Sequence, residues 1–93
     1  MGNGGQARPV PAELSPEGWP TAPSLDPHAE LARQFNLRLR EAIGDRSVRT
    51  IAAVAGMSHS GLNKILAGQA WPDMLSISRL EHALGVNLWP SGH

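Results

Sequence analysis

Residues 47–66 read SVRTIAAVAGMSHSGLNKIL, and the placement of small, polar and apolar residues in this stretch decides the fold. Ser47 and Ser58 are each followed by a short run with apolar residues at helical spacing, and serine is among the preferred helix N-caps. Gly56 stands between the two runs, where a turn needs a residue that tolerates positive φ. Ala52 supplies the small side chain required where a second helix crosses the first. Ile51, Ala55, Met57, Leu62 and Ile65 fall on faces that can point inward together. The stretch therefore predicts two short helices, from Ser47 to Gly56 and from Ser58 to about Ala67, joined by a tight glycine turn.

Working outward, a preceding helix begins at Asp26-Pro27, a good N-cap followed by the residue favoured at the first helical position. Its inner face is Leu31, Phe35, Leu39, Ala42 and Ile43, and Gly44 suits the position just past its end. On the other side Gly68 closes the third helix, and Trp71-Pro72 forces an extended step. Asp73 caps a fourth helix with Ile77, Leu80, Ala83 and Leu84 inward, together with Met74, and Gly85 ends it. Val86, Leu88 and Trp89 are expected to fold back over the core, with Trp71 and Trp89 as packing lids. No strand periodicity is present. The fold class is all-α, a four- to five-helix domain over residues 26–93. Residues 1–25 carry prolines at 9, 11, 16, 20 and 23 and are expected to be a disordered Pro/Gly-rich arm. Leu14 and Trp19 are the arm's candidates for docking, either on a protein partner or back onto the domain.

The chain has 93 residues, enough for one domain, and no cysteine, so disulfides and thiolate metal sites are excluded. It has no apolar run near the roughly 20 residues that span a bilayer. Its N-terminus lacks the charged and apolar regions of a secretory signal. A soluble, cytoplasmic protein is expected. Eight basic and eight acidic side chains give zero net charge. Through Pro27 one base (Arg8) stands against three acids (Glu13, Glu17, Asp26), and from His28 onward seven bases against five acids leave the segment mildly basic. His28, His59, His82 and His93 do not converge at metal-ligand spacing, and no nucleophile-base pair or phosphate-cradling loop is present. Ser58 and Ser60 flank His59, but consecutive helical positions diverge by about 100°. No catalytic residue, metal or cofactor is assigned.

The segment SVRTIAAVAGMSHSGLNKIL resembles the helix-turn-helix of the lambda-repressor/Cro-like family, also called the xenobiotic-response-element family. The trailing AGQAWPDMLSISRLEHALGV extends the likeness over roughly residues 31–88. The resemblance implies that the third helix enters the major groove and reads base edges through Ser58, His59, Ser60, Asn63 and Lys64. His59 and Asn63, and likewise Ser60 and Lys64, are four residues apart and share one polar face. Asn63 could bond an adenine bidentately and Lys64 could reach guanine or phosphate. The N-terminus of the second helix favours anions, which makes Arg46, Ser47 and Arg49 candidates for phosphate contacts, with Gln69 a further one. Val48 stands where many family members carry a glutamine, and Gly61 costs the reading helix roughly 0.5–1 kcal/mol against alanine. The implied function is a sequence-specific, nucleoid-associated transcriptional regulator, a repressor, binding double-stranded DNA as a homodimer. The alternative is a protein-interaction or antitoxin-like helix-turn-helix module whose DNA binding is weak or partner-dependent.

Overall fold

The computed structural model describes residues 9–90. Four helices follow one another: α1 (Pro27–Ile43), α2 (Val48–Ala55), α3 (His59–Leu66) and α4 (Met74–Leu84), and a single 3-10 turn (Pro11–Leu14) precedes them. Among the described residues there is no strand. Each predicted cap is in place. Asp26 accepts the N–H groups of His28 and Ala29, Ser47 that of Thr50, Ser58 that of Gly61, and Asp73 that of Ser76. Such caps satisfy N–H groups that have no partner within the helix, at a typical gain of about 1 kcal/mol each.

The core is built from one face of every helix. Phe35, Leu39 and Ile43 of α1 meet Ile51, Ala52 and Ala55 of α2, Leu62 and Ile65 of α3, and Leu80 of α4. Leu88 folds back into this cluster, and the Trp89 ring lies 5.9 Å from that of Phe35 at a 46° tilt. Helix α2 packs against both α3 and α4, so the first helix of the motif is held by the fourth. Met74, expected on the inner face of α4, is 87% exposed instead. It is the first residue after the Asp73 cap, and the apolar stripe of α4 begins only at Ile77.

The greatest departure from expectation is at the N-terminus. Residues 9–25 are not a disordered arm; they form a strap laid across α1 and the end of α3. Its attachments join residues far apart in sequence. The backbone N–H of Ala12 donates to the Gly68 carbonyl at 2.9 Å, and the Trp71 indole N–H to the Pro9 carbonyl at 3.0 Å. Pro11, Ser15 and Ser24 are buried, and the Trp19–Pro20 peptide bond is cis. Glu30 of α1 secures the far end. It accepts the backbone N–H of Ser24 at 2.9 Å and forms an ion pair with Arg33, whose guanidinium also donates to the Pro20 carbonyl. Residues 9–25 are thus hydrogen-bonded to the helices that follow them. The first eight residues of the expected arm lie outside the described residues, as does His93.

Candidate nucleic-acid interface

The turn of the motif is made by Gly56, in the left-handed region at φ 72° and ψ 31°, with its N–H on the Ala52 and Ala53 carbonyls. An L side chain there would be strained, which is why the sequence has glycine between two helices that must reverse direction within a few residues. Arg79 of α4 donates to the Gly56 carbonyl at 3.0 Å, locking the turn from outside the motif. The sequence reading gave Arg79 no role. A basic residue in the middle of a helix gives no signal that its target is a carbonyl 23 residues earlier.

Helix α3 buries Leu62 and Ile65 and presents Ser60, Asn63 and Lys64 to solvent. His59 is half-buried at the first helical position, and its Nε2 lies 3.0 Å from Asn63 Nδ2. Ser58 uses a hydroxyl lone pair to accept the Gly61 N–H at 2.9 Å, while its own hydrogen stays available. The five residues assigned to base reading therefore lie on one short helix and its cap. Ser58, Ser60, Asn63 and Lys64 are exposed and His59 half-buried beside them.

The candidates for phosphate contact are placed less uniformly. Ser47 caps α2 and Arg49 is exposed in its first turn, beside helix N–H groups that carry partial positive charge. Arg46 is turned back onto the preceding helix, donating to the Ala42 carbonyl at 2.6 Å and the Ile43 carbonyl at 3.3 Å. Gln69 is exposed in the loop after α3. Among the described residues, the guanidiniums of Arg33, Arg40, Arg46 and Arg79 hold protein acceptors, whereas Arg38, Arg49 and Lys64 project into solvent. In a chain of zero net charge, the cations open to an anionic partner are thus few.

The far end of α3 is held by groups that lay outside the predicted site. Asn36, buried in the middle of α1, donates to the Ile65 carbonyl at 2.9 Å and to that of Leu66 at 3.3 Å. Arg40 donates to Asn36 Oδ1 and to the Leu66 carbonyl, and the Trp19 indole N–H reaches the same carbonyl at 3.1 Å. Of the two expectations for Trp19, a partner contact or docking back onto the domain, the structure shows the second. Asn36 could have been found from the sequence, as an amide on the helical stripe formed by Ala32, Phe35 and Leu39. A polar side chain in that position needs buried partners.

No group of three or more potential metal-ligating side chains is clustered among the described residues, and no helix among them is long and apolar enough to cross a membrane.

Comparison with known proteins agrees with this geometry. No curated protein matches the chain. Among solved structures it is similar to the restriction-modification controller protein C.AhdI from Aeromonas hydrophila. The two are 30% identical at a TM-score of 0.55, covering 62% of this chain and 89% of the controller protein. A helix-turn-helix family model matches residues 37–88, more than half of the chain, and spans all of α2, α3 and α4. The chain belongs to the lambda-repressor/Cro-like helix-turn-helix family of DNA-binding proteins.

Proposed function

We propose that this DNA-binding transcription regulator recognises a specific duplex sequence by placing α3 in the major groove, and that it acts as a repressor. The observation that carries the reading is the polar face of α3. Ser60, Asn63 and Lys64 are exposed on a helix whose opposite face is locked into the core and whose ends are fixed by Ser58, Asn36 and Arg40. Rigid presentation of hydrogen-bonding side chains is what base-edge readout needs, because each edge offers a fixed donor and acceptor pattern. Asn63 and Lys64 are the principal readers, with His59, Ser60 and Ser58 beside them. Arg49, the N–H groups at the start of α2 and the Ser47 hydroxyl face the phosphates, assisted by Arg46 and Gln69.

A single domain with so few open cations gains affinity by doubling its contacts. A homodimer on a two-fold-related site, with half-sites about 10 base pairs apart, is the expected binding form. The likeness to a restriction-modification controller protein supports a regulatory role.

Selection of binding sites from random duplex DNA tests the reading, run on the full chain and on an Asn63→Ala, Lys64→Ala double variant. Enrichment of a motif that the variant loses supports readout by α3, and palindromic enrichment supports the dimer. A folded, helical protein that enriches nothing would instead favour a module whose DNA binding depends on a partner, a reading to which the small number of open cations lends weight.

A further inference from the structure

Asn63 and His59 lie one turn apart on α3, with Asn63 Nδ2 at 3.0 Å from His59 Nε2. The amide nitrogen has two hydrogens and no acceptor capacity, so in this contact Asn63 donates and the imidazole nitrogen accepts. In this contact the imidazole takes the accepting role at Nε2. The bond also fixes which hydrogen-bonding groups Asn63 retains. Of its two N–H donors and one carbonyl acceptor, one N–H is occupied by His59. One N–H and the carbonyl remain to face outward.

That remainder matches one purine and opposes the other. In the major groove adenine shows an acceptor at N7 and a donor at N6, whereas guanine shows acceptors at both N7 and O6. An unconstrained asparagine can turn its amide so that N–H groups face both guanine acceptors. With one N–H held by His59, Asn63 can offer guanine only one donor, and its carbonyl then faces an acceptor. Adenine receives one donor and one acceptor, as its edge requires. We propose that His59 is a positioning residue which, by holding one N–H of Asn63, makes this position of α3 select adenine against guanine in double-stranded DNA. The inference rests on the reading of α3 as the groove-facing helix. It adds that discrimination comes from the pair and not from Asn63 alone, since a binding site gains specificity by opposing the wrong partner as well as by matching the right one.

The test uses the full chain and two duplexes that differ by A→G at the position whose preference Asn63→Ala abolishes. Wild type is expected to favour the adenine duplex by about tenfold or more, the scale of a bidentate contact. His59→Ala should lower that ratio by about threefold to tenfold. The loss should fall on the adenine duplex and leave binding to the guanine duplex equal or tighter, whereas a merely structural role for His59 would weaken both duplexes alike. His59→Gln, which keeps an acceptor near the same place, should restore the preference. Nitrogen NMR of the free protein should show His59 with its proton on Nδ1. The proposal is overturned if His59→Ala keeps the wild-type ratio, or if His59 is found mainly with its proton on Nε2. If Asn63→Ala changes no base preference, the α3 reading falls and this inference falls with it.

Discussion

The indole N–H of Trp19 reaches the carbonyl of Leu66 at 3.1 Å across 47 residues of sequence, tying the N-terminal strap to the last turn of α3. That carbonyl is one of the groups that a helix C-terminus leaves without an intrahelical partner. It also receives Arg40 and, at 3.3 Å, Asn36. The strap and the core-facing side of α1 thus meet at one backbone oxygen. Beside it, the Trp19 ring lies against Gly68 so closely that a Cβ there would sit 2.7 Å from the ring.

The two parts of this attachment can be separated by substitution. Trp19→Phe keeps an aromatic ring against Gly68 but loses the N–H donor. Leu66 retains two other donors, so the expected loss is about 0.5–1.5 kcal/mol. Trp19→Ala removes the ring as well and should cost about 2–3 kcal/mol, less than a fully buried tryptophan because Trp19 is only half-buried. Urea denaturation of the two variants measures both values. Equal effects would mean that the ring contributes nothing, contrary to its contact with Gly68.

Gly56 and Gly68 have nearly the same φ, 72° and 71°, but different surroundings. A Cβ at Gly56 meets nothing within 4 Å, so Gly56→Ala should cost only the left-handed strain, about 1–2 kcal/mol. Gly68→Ala adds a clash with the Trp19 ring and should cost about 2–4 kcal/mol. In a Trp19→Ala background the clash is absent and the penalty at Gly68 should fall to that at Gly56. A double-mutant cycle reads this coupling directly, and additivity of the two substitutions would contradict the packing.

How much of this was legible in the sequence depends on the range of the interactions. The helices of the motif were readable because their signals are local. Ser47, Ser58 and Asp73 cap within three residues, Gly56 sits next to the turn it makes, and the apolar stripe of α1 repeats every three or four positions. Of the strap, the docking of Trp19 was among the alternatives read from the sequence; the rest was not readable, because its order comes from single bonds to distant partners. Ala12 to Gly68, Trp19 to Leu66 and Trp71 to Pro9 leave no periodicity, and five prolines give the segment the composition of a flexible chain. The candidate site divides in the same way. That Ser60, Asn63 and Lys64 face solvent follows from helical geometry. That Arg46, Arg40 and Arg79 are held by helix-end carbonyls does not, since a long guanidinium can reach any acceptor within several ångströms.

Glu30 makes the strap sensitive to acid. The hydrogen bond from Arg33 is the largest influence on its carboxyl. With the Ser24 N–H and Gln34 it outweighs desolvation and lowers the pKa from 4.5 to about 2. A carboxylate held low in the folded state stabilises it fully above the ordinary value, and that contribution is lost as pH falls from about 4.5 toward 2. Glu30→Gln should therefore cost about 1–2 kcal/mol at neutral pH, less than the full linkage value because solvent screens the pair. The variant should also lose less stability than wild type between those two pH values. Asp73, held low by the Ser76 N–H at the start of α4, should keep part of the acid sensitivity in both proteins. Parallel stability-versus-pH curves for wild type and Glu30→Gln would show that the ion pair does not anchor the strap.

Arg49 and Arg46 are three residues apart and should behave differently on substitution. Arg49 is exposed in the first turn of α2, whereas Arg46 donates to the Ala42 and Ile43 carbonyls at the end of α1. If Arg49 contacts a phosphate, Arg49→Ala weakens binding to all duplexes by a similar factor. It also lowers the slope of log affinity against log salt by about one, since one fewer counterion is released. The denaturation midpoint should not move. Arg46→Ala leaves two helix-end carbonyls with fewer partners and should cost about 0.5–1.5 kcal/mol of stability. Its effect on the salt slope should be smaller, because only the N–H groups turned away from α1 are free to reach DNA. Salt titrations of both variants on one specific and one random duplex separate the two roles. An unchanged slope for Arg49→Ala would remove the start of α2 from the phosphate-binding surface and shift attention to Lys64 and Arg38, which are likewise exposed.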